Sequence, residues 1–294
     1  MPSLSIARAA NAKFAPSYLP VAVFVGGTSG IGQGVAEAFA RHTKGNAHII
    51  LCGRNKSAAE SIIASFPRPT APEAKHEFIQ CDATLMKNVG ATTSSLLSRL
   101  AKINFLVLTP GIMTLRGRDE TPEGIDKKLA LHYYARWKFT QDLIPLLRKA
   151  KEAGEDAKAM TILAAGVSGK IDFDDLALRK HYSVSAAAKA APIYNDLMIE
   201  SFAEQHPDLS FVHASPGIVR TPLAGSIVQV LAYPFAVSAE ECGEYMLHAI
   251  FNAESGAHLR NGKGDVIKQK GYCGPEDARK QLWEHTVKEV EVSA

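Results

Sequence analysis

Cysteine is scarce in this chain, and none of it is spaced for metal chemistry. Cys52, Cys81, Cys242 and Cys273 form no Cys-x-x-C pair, and no Cys/His group has zinc-ligand spacing. No metal is expected, and the thiols read as small apolar core residues in a reducing compartment. Charge of one sign is lacking too. Against 30 Asp and Glu stand 33 Lys and Arg, which leaves a formal net charge of +3 with no basic run. Neither nucleic acid nor a membrane surface is an expected partner. Long hydrophobic runs are also missing. The most apolar stretch outside the expected strands, residues 227–237, contains Pro234 and falls short of the ~20 residues of a bilayer span. Residues 1–20 hold no apolar stretch of signal-peptide length, so a cytoplasmic protein is expected. No repeat, low-complexity tract or linker divides the chain, so residues 1–294 read as one domain with residues 1–20 as an N-terminal extension.

What the chain does have is alternation. Val21 to Val25 is a continuous apolar run, the pattern of a strand buried on both faces of a parallel sheet. Further strands are expected over residues 47–52, 77–81, 104–108, 159–163 and 209–213. A short strand follows near Ser255-Gly256. Helical patterns lie between them: Ile31, Val35 and Phe39 after the first strand, then residues 57–66, Val89 to Leu100, Leu129 to Ala150 and Ser183 to Glu204. A closing helix is expected around residues 281–290. Strands alternating with helices imply an α/β fold of the Rossmann type, a doubly wound parallel sheet covered on both faces.

The first strand runs into Gly26-Gly27-Thr28-Ser29-Gly30-Ile31-Gly32, and a helix leaves that segment. In a strand-turn-helix setting the glycines have separate tasks. Gly26 makes the tight turn, Gly30 lets a pyrophosphate approach the backbone, and Gly32 lets the helix pack on the sheet. The helix N-terminus then offers free N–H groups to phosphate. An NAD site would carry an acid at the end of the second strand. Here that place reads Gly53-Arg54-Asn55, and a guanidinium suits the 2′-phosphate of NADP(H).

The glycine segment, Gly53-Arg54-Asn55, Cys81-Asp82 and Pro216-Gly217-Ile218-Val219-Arg220-Thr221 together resemble the short-chain dehydrogenase/reductase family in order and spacing. The resemblance is to its retinol-dehydrogenase-like branch and to fungal members from secondary metabolism. Residues 169–176 look like an insertion of that branch. It implies that Thr28, Ser29 and Ile31 share the phosphate turn, that Asp82 bonds the adenine amino group beside Ala83, and that Gly111 passes the adenine ribose. It also implies that Pro216, Gly217, Val219 and Thr221 border the nicotinamide. A helix N-cap or a turn residue is the other reading of Asp82.

The family's catalytic Asn-Ser-Tyr-Lys set is not preserved. His132 aligns with the helix asparagine and reads either as a proton relay or as a helix packing residue. Ala164-Ala165 replaces the serine, and Ser168 is the nearest substitute or a plain loop residue. Tyr182 is the best phenol and Lys189 the best cation, yet they lie seven residues apart. On one helix that is ~10 Å, so contact requires a helix that begins after Tyr182. An alternative alignment puts Ser185 in the tyrosine's place and keeps Lys189 as the lysine. Residues 222–240 are expected to form a flap over an apolar substrate, with packing or contact between copies of the chain as the other uses. The expected function is an NADP(H)-dependent oxidoreductase acting on a carbonyl or alcohol of an apolar small molecule in secondary metabolism. The alternatives are a non-redox isomerase or cyclase on the same fold, and a non-enzymatic NADP(H)-binding protein.

Overall fold

The computed structural model describes residues 2–222, 236–267 and 277–291. Seven strands form one parallel sheet: β1 (Val21–Val25), β2 (His48–Gly53), β3 (Lys75–Gln80), β4 (Phe105–Leu108), β5 (Lys158–Ile162), β6 (Ser210–Ala214) and β9 (Gly256–Arg260). Their order is β3-β2-β1-β4-β5-β6-β9, so the chain reverses direction across the sheet between β1 and β4. Ligands in such sheets bind at the carboxyl ends of the strands beside that reversal. A two-stranded pair, β7 (Val219–Arg220) with β8 (Val237–Ser238), lies apart from the main sheet.

Helices cover both faces, as the expected alternation requires. They are α2 (Gly30–His42), α3 (Lys56–Ser65), α4 (Met86–Arg99), α5 (Lys127–Leu129), α6 (Ala135–Glu152) and α7 (Val184–Gln205). Each face holds its own apolar core, one around Leu106, Tyr133 and Phe202, the other around Phe24, Phe39 and Met246. The closing helix, α9 (Ala278–Val290), is tied to the first core by Tyr133 Oη to Thr286 Oγ1 at 2.7 Å.

Two helices depart from the sequence-based expectation. The N-terminal extension contains α1 (Leu4–Asn11), and residues 239–240, expected in the flap, begin α8 (Ala239–Phe251). A capping box starts α8: the Ser238 hydroxyl accepts from Glu241 N, and the Glu241 carboxylate accepts from Ser238 N. Residues 236–240 therefore serve a strand and a helix start, and residues 223–235 of the expected flap lie outside the described residues. Helix α8 crosses α2 at a pair of glycines. A Cβ on Gly34 would fall on the Ala239 carbonyl, and one on Gly243 would fall on the Gly34 carbonyl.

Glu244 of α8 gathers the elements around it. Its carboxylate, 1% exposed, takes hydrogen bonds from Asn11 Nδ2, Arg41 and His42, each at 2.9 Å. Burial pushes its pKa up, but the bonds from His42, Asn11 and Arg41 outweigh it and hold the group down at about 2. A depressed carboxyl stabilises the fold above its unfolded pKa near 4.5, and that stability is lost as pH falls through about 2. Glu244→Gln should thus lower stability at neutral pH by on the order of 3 kcal/mol and flatten the acid limb between those two values. Thermal melts from pH 7 to pH 2 check this, and parallel curves for the two proteins would refute it.

Candidate active site

At the carboxyl ends of β1 to β4 the strands open into a cleft of about 310 Å³. Val25, Gly26, Thr28, Ser29, Gly30, Ile31 and Gly32 form one wall, and Gly53 and Arg54 lie at the end of β2. Asp82, Ala83 and Gly111 complete it with Thr221 opposite. Gly26 and Gly30 have φ of +83° and +56°, a backbone that side chains rarely tolerate. A Cβ on Gly30 would sit 3.2 Å from the Thr221 methyl carbon, across the cleft. Ser29, the N-cap of α2, makes no side-chain cap bond, so the helix N-terminus keeps donors for an anion in the cleft.

Asp82 makes the contact of a turn residue and is also placed at the cleft. Its Oδ1 accepts from Thr84 N at 3.1 Å and Thr84 Oγ1 at 2.8 Å, while the residue also lines the cleft. Asn55 does not line it. That side chain caps α3 by accepting from Ala58 N at 3.1 Å. Pro216, Gly217 and Val219 are also outside the lining, and Val219 pairs with Val237 instead. Thr109 was not singled out from sequence. Its hydroxyl donates to Val25 O at 2.9 Å, and it fills the space beside Gly26 that a Cβ would need.

Behind the cleft lies a buried polar brace. Arg136 is 1% exposed and has no carboxylate partner among the described residues. Its guanidinium donates to Pro110 O at 2.7 Å, Thr161 Oγ1 at 2.7 Å, Ile162 O at 2.8 Å and Leu131 O at 3.1 Å. Burial lowers its pKa to about 9, which leaves it cationic at neutral pH. The brace has a local cause. Residues Ala130–Tyr134 form a π-helical turn between α5 and α6. Such a turn displaces carbonyls from the α-helical ladder. Arg136 takes Leu131 O, and Asn195 Nδ2 takes His132 O at 2.7 Å. Thr161 Oγ1 joins the two by donating to Asn195 Oδ1 at 2.8 Å.

The short chain dehydrogenase family profile matches residues 20–231. The chain belongs to the short-chain dehydrogenase family. Oxidoreductase AN1596 of Emericella nidulans is 31% identical over 97% of both chains. Oxidoreductase andH of Emericella variicolor is 31% identical over 86% of this chain and 76% of its own. The NADPH-bound carbonyl reductase from chicken fatty liver superposes with a TM-score of 0.61 at 20% identity, over 85% of this chain and 98% of that one. That likeness concerns the fold.

As a short-chain dehydrogenase the protein has an unusual neighbourhood where proton transfer is expected. His132 Nε2 accepts from Ile112 N at 3.2 Å and faces Gly111. Burial, then the charges of Arg136 and Lys128, lower its pKa to about 3. The imidazole is thus neutral, with its proton assigned to Nδ1, and it fixes the turn after β4. Ser168 is exposed and makes no hydrogen bond among the described residues. Helix α7 begins at Val184 with Ser183 as its cap, so Tyr182 precedes the helix. The lysine that meets Tyr182 comes from elsewhere: Lys128 Nζ donates to Tyr182 Oη at 2.8 Å. Lys189 is exposed on α7, one turn beyond Ser185. No helix among the described residues is long and apolar enough to cross a membrane.

Proposed function

We propose that this short-chain dehydrogenase is an NADP(H)-dependent oxidoreductase that interconverts a carbonyl and an alcohol on an apolar small molecule. The observation that carries the cofactor choice is Arg54. It is exposed at the cleft, follows β2 where an acid would serve NAD, and has no ion pair among the described residues. The cleft fits a dinucleotide on its own geometry: a glycine cradle with positive φ and an uncapped helix N-terminus suit the pyrophosphate. Asp82 would hold the adenine end and Thr221 the opposite wall. Lys189 would hold the nicotinamide ribose. When bound, the cofactor supplies or accepts hydride at the substrate carbon.

The substrate's apolar character rests on the rim. Met113, Leu115, Val167, Ile218 and Val266 are exposed, and they lie in the segments that follow β4, β5, β6 and β9. Among the described residues, the turns that leave β1, β2 and β3, on the dinucleotide half of the sheet, expose no large hydrophobic residue; the nearest, Leu97, lies in the last turn of α4. Water-facing hydrocarbon is thus gathered on the half where a substrate would approach.

Titration with NADPH and NADH tests the cofactor assignment. NADPH should bind at least ~10-fold more tightly, the scale of one charge-assisted pair, and Arg54→Ala should erase the preference. Equal affinities would refute it. A panel of apolar ketones with NADPH tests the redox chemistry. Tight binding without turnover on any of them would move the reading to non-redox chemistry on the same fold.

A further inference from the structure

Tyr182 meets a lysine that its own helix does not supply. Lys128 lies 54 residues earlier, in α5, and its ammonium reaches the phenol oxygen at 2.8 Å and stands 5.4 Å from the ring centroid. The lysine is 6% exposed. Its other bonds go to the carbonyls of Arg116 at 2.9 Å and Gly117 at 3.4 Å, and no carboxylate pairs with it among the described residues. Three acceptors match three ammonium hydrogens, so the group is held in one orientation.

That geometry decides the direction of the bond. An ammonium has no lone pair, so the phenol oxygen must accept from it. The phenol's own hydrogen is then left over, and no acceptor for it occurs among the described residues. Neither Tyr182 nor Lys128 lines the nucleotide cleft itself, but the segments that hold the pair run on from it. Lys128 is three residues before Leu131, which lines the cleft, and the segment whose carbonyls hold it follows Gly111, another lining residue.

We propose that Lys128 is the positioning residue for Tyr182, holding the phenol so that its O–H is presented to the substrate oxygen. The proposal rests on the oxidoreductase reading above. In the reduction direction, the carbonyl carbon takes a hydride from reduced nicotinamide, and the C=O π pair moves onto oxygen. The Tyr182 O–H bond breaks as the substrate O–H forms. The phenolate stays beside the Lys128 ammonium until a proton from solvent restores it. The carbonyl is reduced, the nicotinamide is oxidised, and one proton is consumed per turnover.

The test is a double-mutant cycle on a ketone that the wild-type protein reduces with NADPH. Tyr182→Phe and Lys128→Met should each lower kcat by about 100-fold or more, the usual scale of a general acid. KM and NADPH affinity should stay within about twofold. The double variant should be no slower than either single one, because the two residues act as a unit. Lys128→Arg should recover part of the rate, since it keeps a charged donor. It also keeps the assignment testable if Lys128→Met fails to fold. Multiplying losses in the double variant would show that Lys128 acts independently of the phenol and overturn the proposal. Full activity in Tyr182→Phe would overturn it as well while leaving the oxidoreductase reading standing. A wild-type protein that turns over no ketone, yet binds NADPH, would remove the oxidoreductase reading and this proposal with it.

Discussion

Gly30→Val should leave a folded protein whose affinity for NADPH is at least ~100-fold lower, equivalent to about 2.7 kcal/mol. Two effects act together at this position. The backbone φ of +56° suits glycine, and a β-branched residue there costs roughly 1–3 kcal/mol or shifts the turn. The added side chain also points across the cleft, with its Cβ 3.2 Å from the Thr221 methyl carbon. It would occupy the space a pyrophosphate needs at the start of α2, where Ser29 leaves the helix donors uncapped. The fold should survive, because Gly30 is at the surface of the cleft rather than in either core. Fluorescence titration with NADPH and a thermal melt separate the two contributions. Undiminished binding in a variant that melts like the wild type would show that the turn does not hold the dinucleotide.

Arg136→Met should lower the thermal midpoint by on the order of 6 °C, from a loss of roughly 3 kcal/mol. Two terms oppose each other here. Removing a buried cation relieves its desolvation, the same burial that lowers its pKa to about 9. But methionine restores none of the four bonds. The carbonyls of Pro110, Leu131 and Ile162 and the Thr161 hydroxyl lose their shared donor in a site with no water access. The second term wins because several acceptors are stranded at once. Arg136→Lys should recover little, since one ammonium cannot span four acceptors on three segments. NADPH binding should weaken in parallel, as Pro110 and Leu131 both line the cleft. An unchanged melting temperature would mean that the site is wet or rearranges freely.

The parts of this molecule that were legible in the sequence are those set by local pattern. Apolar runs such as Val21 to Val25 mark strands buried on both faces, and the structure places all seven within a residue or two of expectation. The glycine turn was legible because its spacing and its strand-helix setting occur together. The elements that escaped depend on distant partners. Helix α1 is held by Asn11 on Glu244, 233 residues away, and nothing within residues 1–20 announces that contact. Helix α8 was hidden by a neighbouring apolar stretch, although Ser238 and Glu241 already spell a capping box. Tyr182 lies just before the helix that the pattern starts near Ser183, but its partner could not be found by spacing. Lys128 joins it only through the packing of α5 against the residues before α7. Arg136 gave no signal, because a lone arginine in a helix reads as a solvated side chain until the π-helical turn exposes carbonyls beside it.

The small β7–β8 pair has a consequence for how this scaffold diversifies. Val219–Arg220 lies in register with Val237–Ser238, so the chain that departs at Thr221 and Pro222 returns within a strand spacing of ~4.8 Å. Helix α8 then anchors the return through its glycine contact with α2, the helix that also carries the phosphate turn. Both ends of the detour are thereby held by the dinucleotide-binding half, whatever lies between them. Between ends fixed in this way, doubling the length of a flexible loop costs only about 0.6 kcal/mol of closure entropy. A segment grafted between Pro222 and Ala236 is thus expected to leave the nucleotide cleft intact.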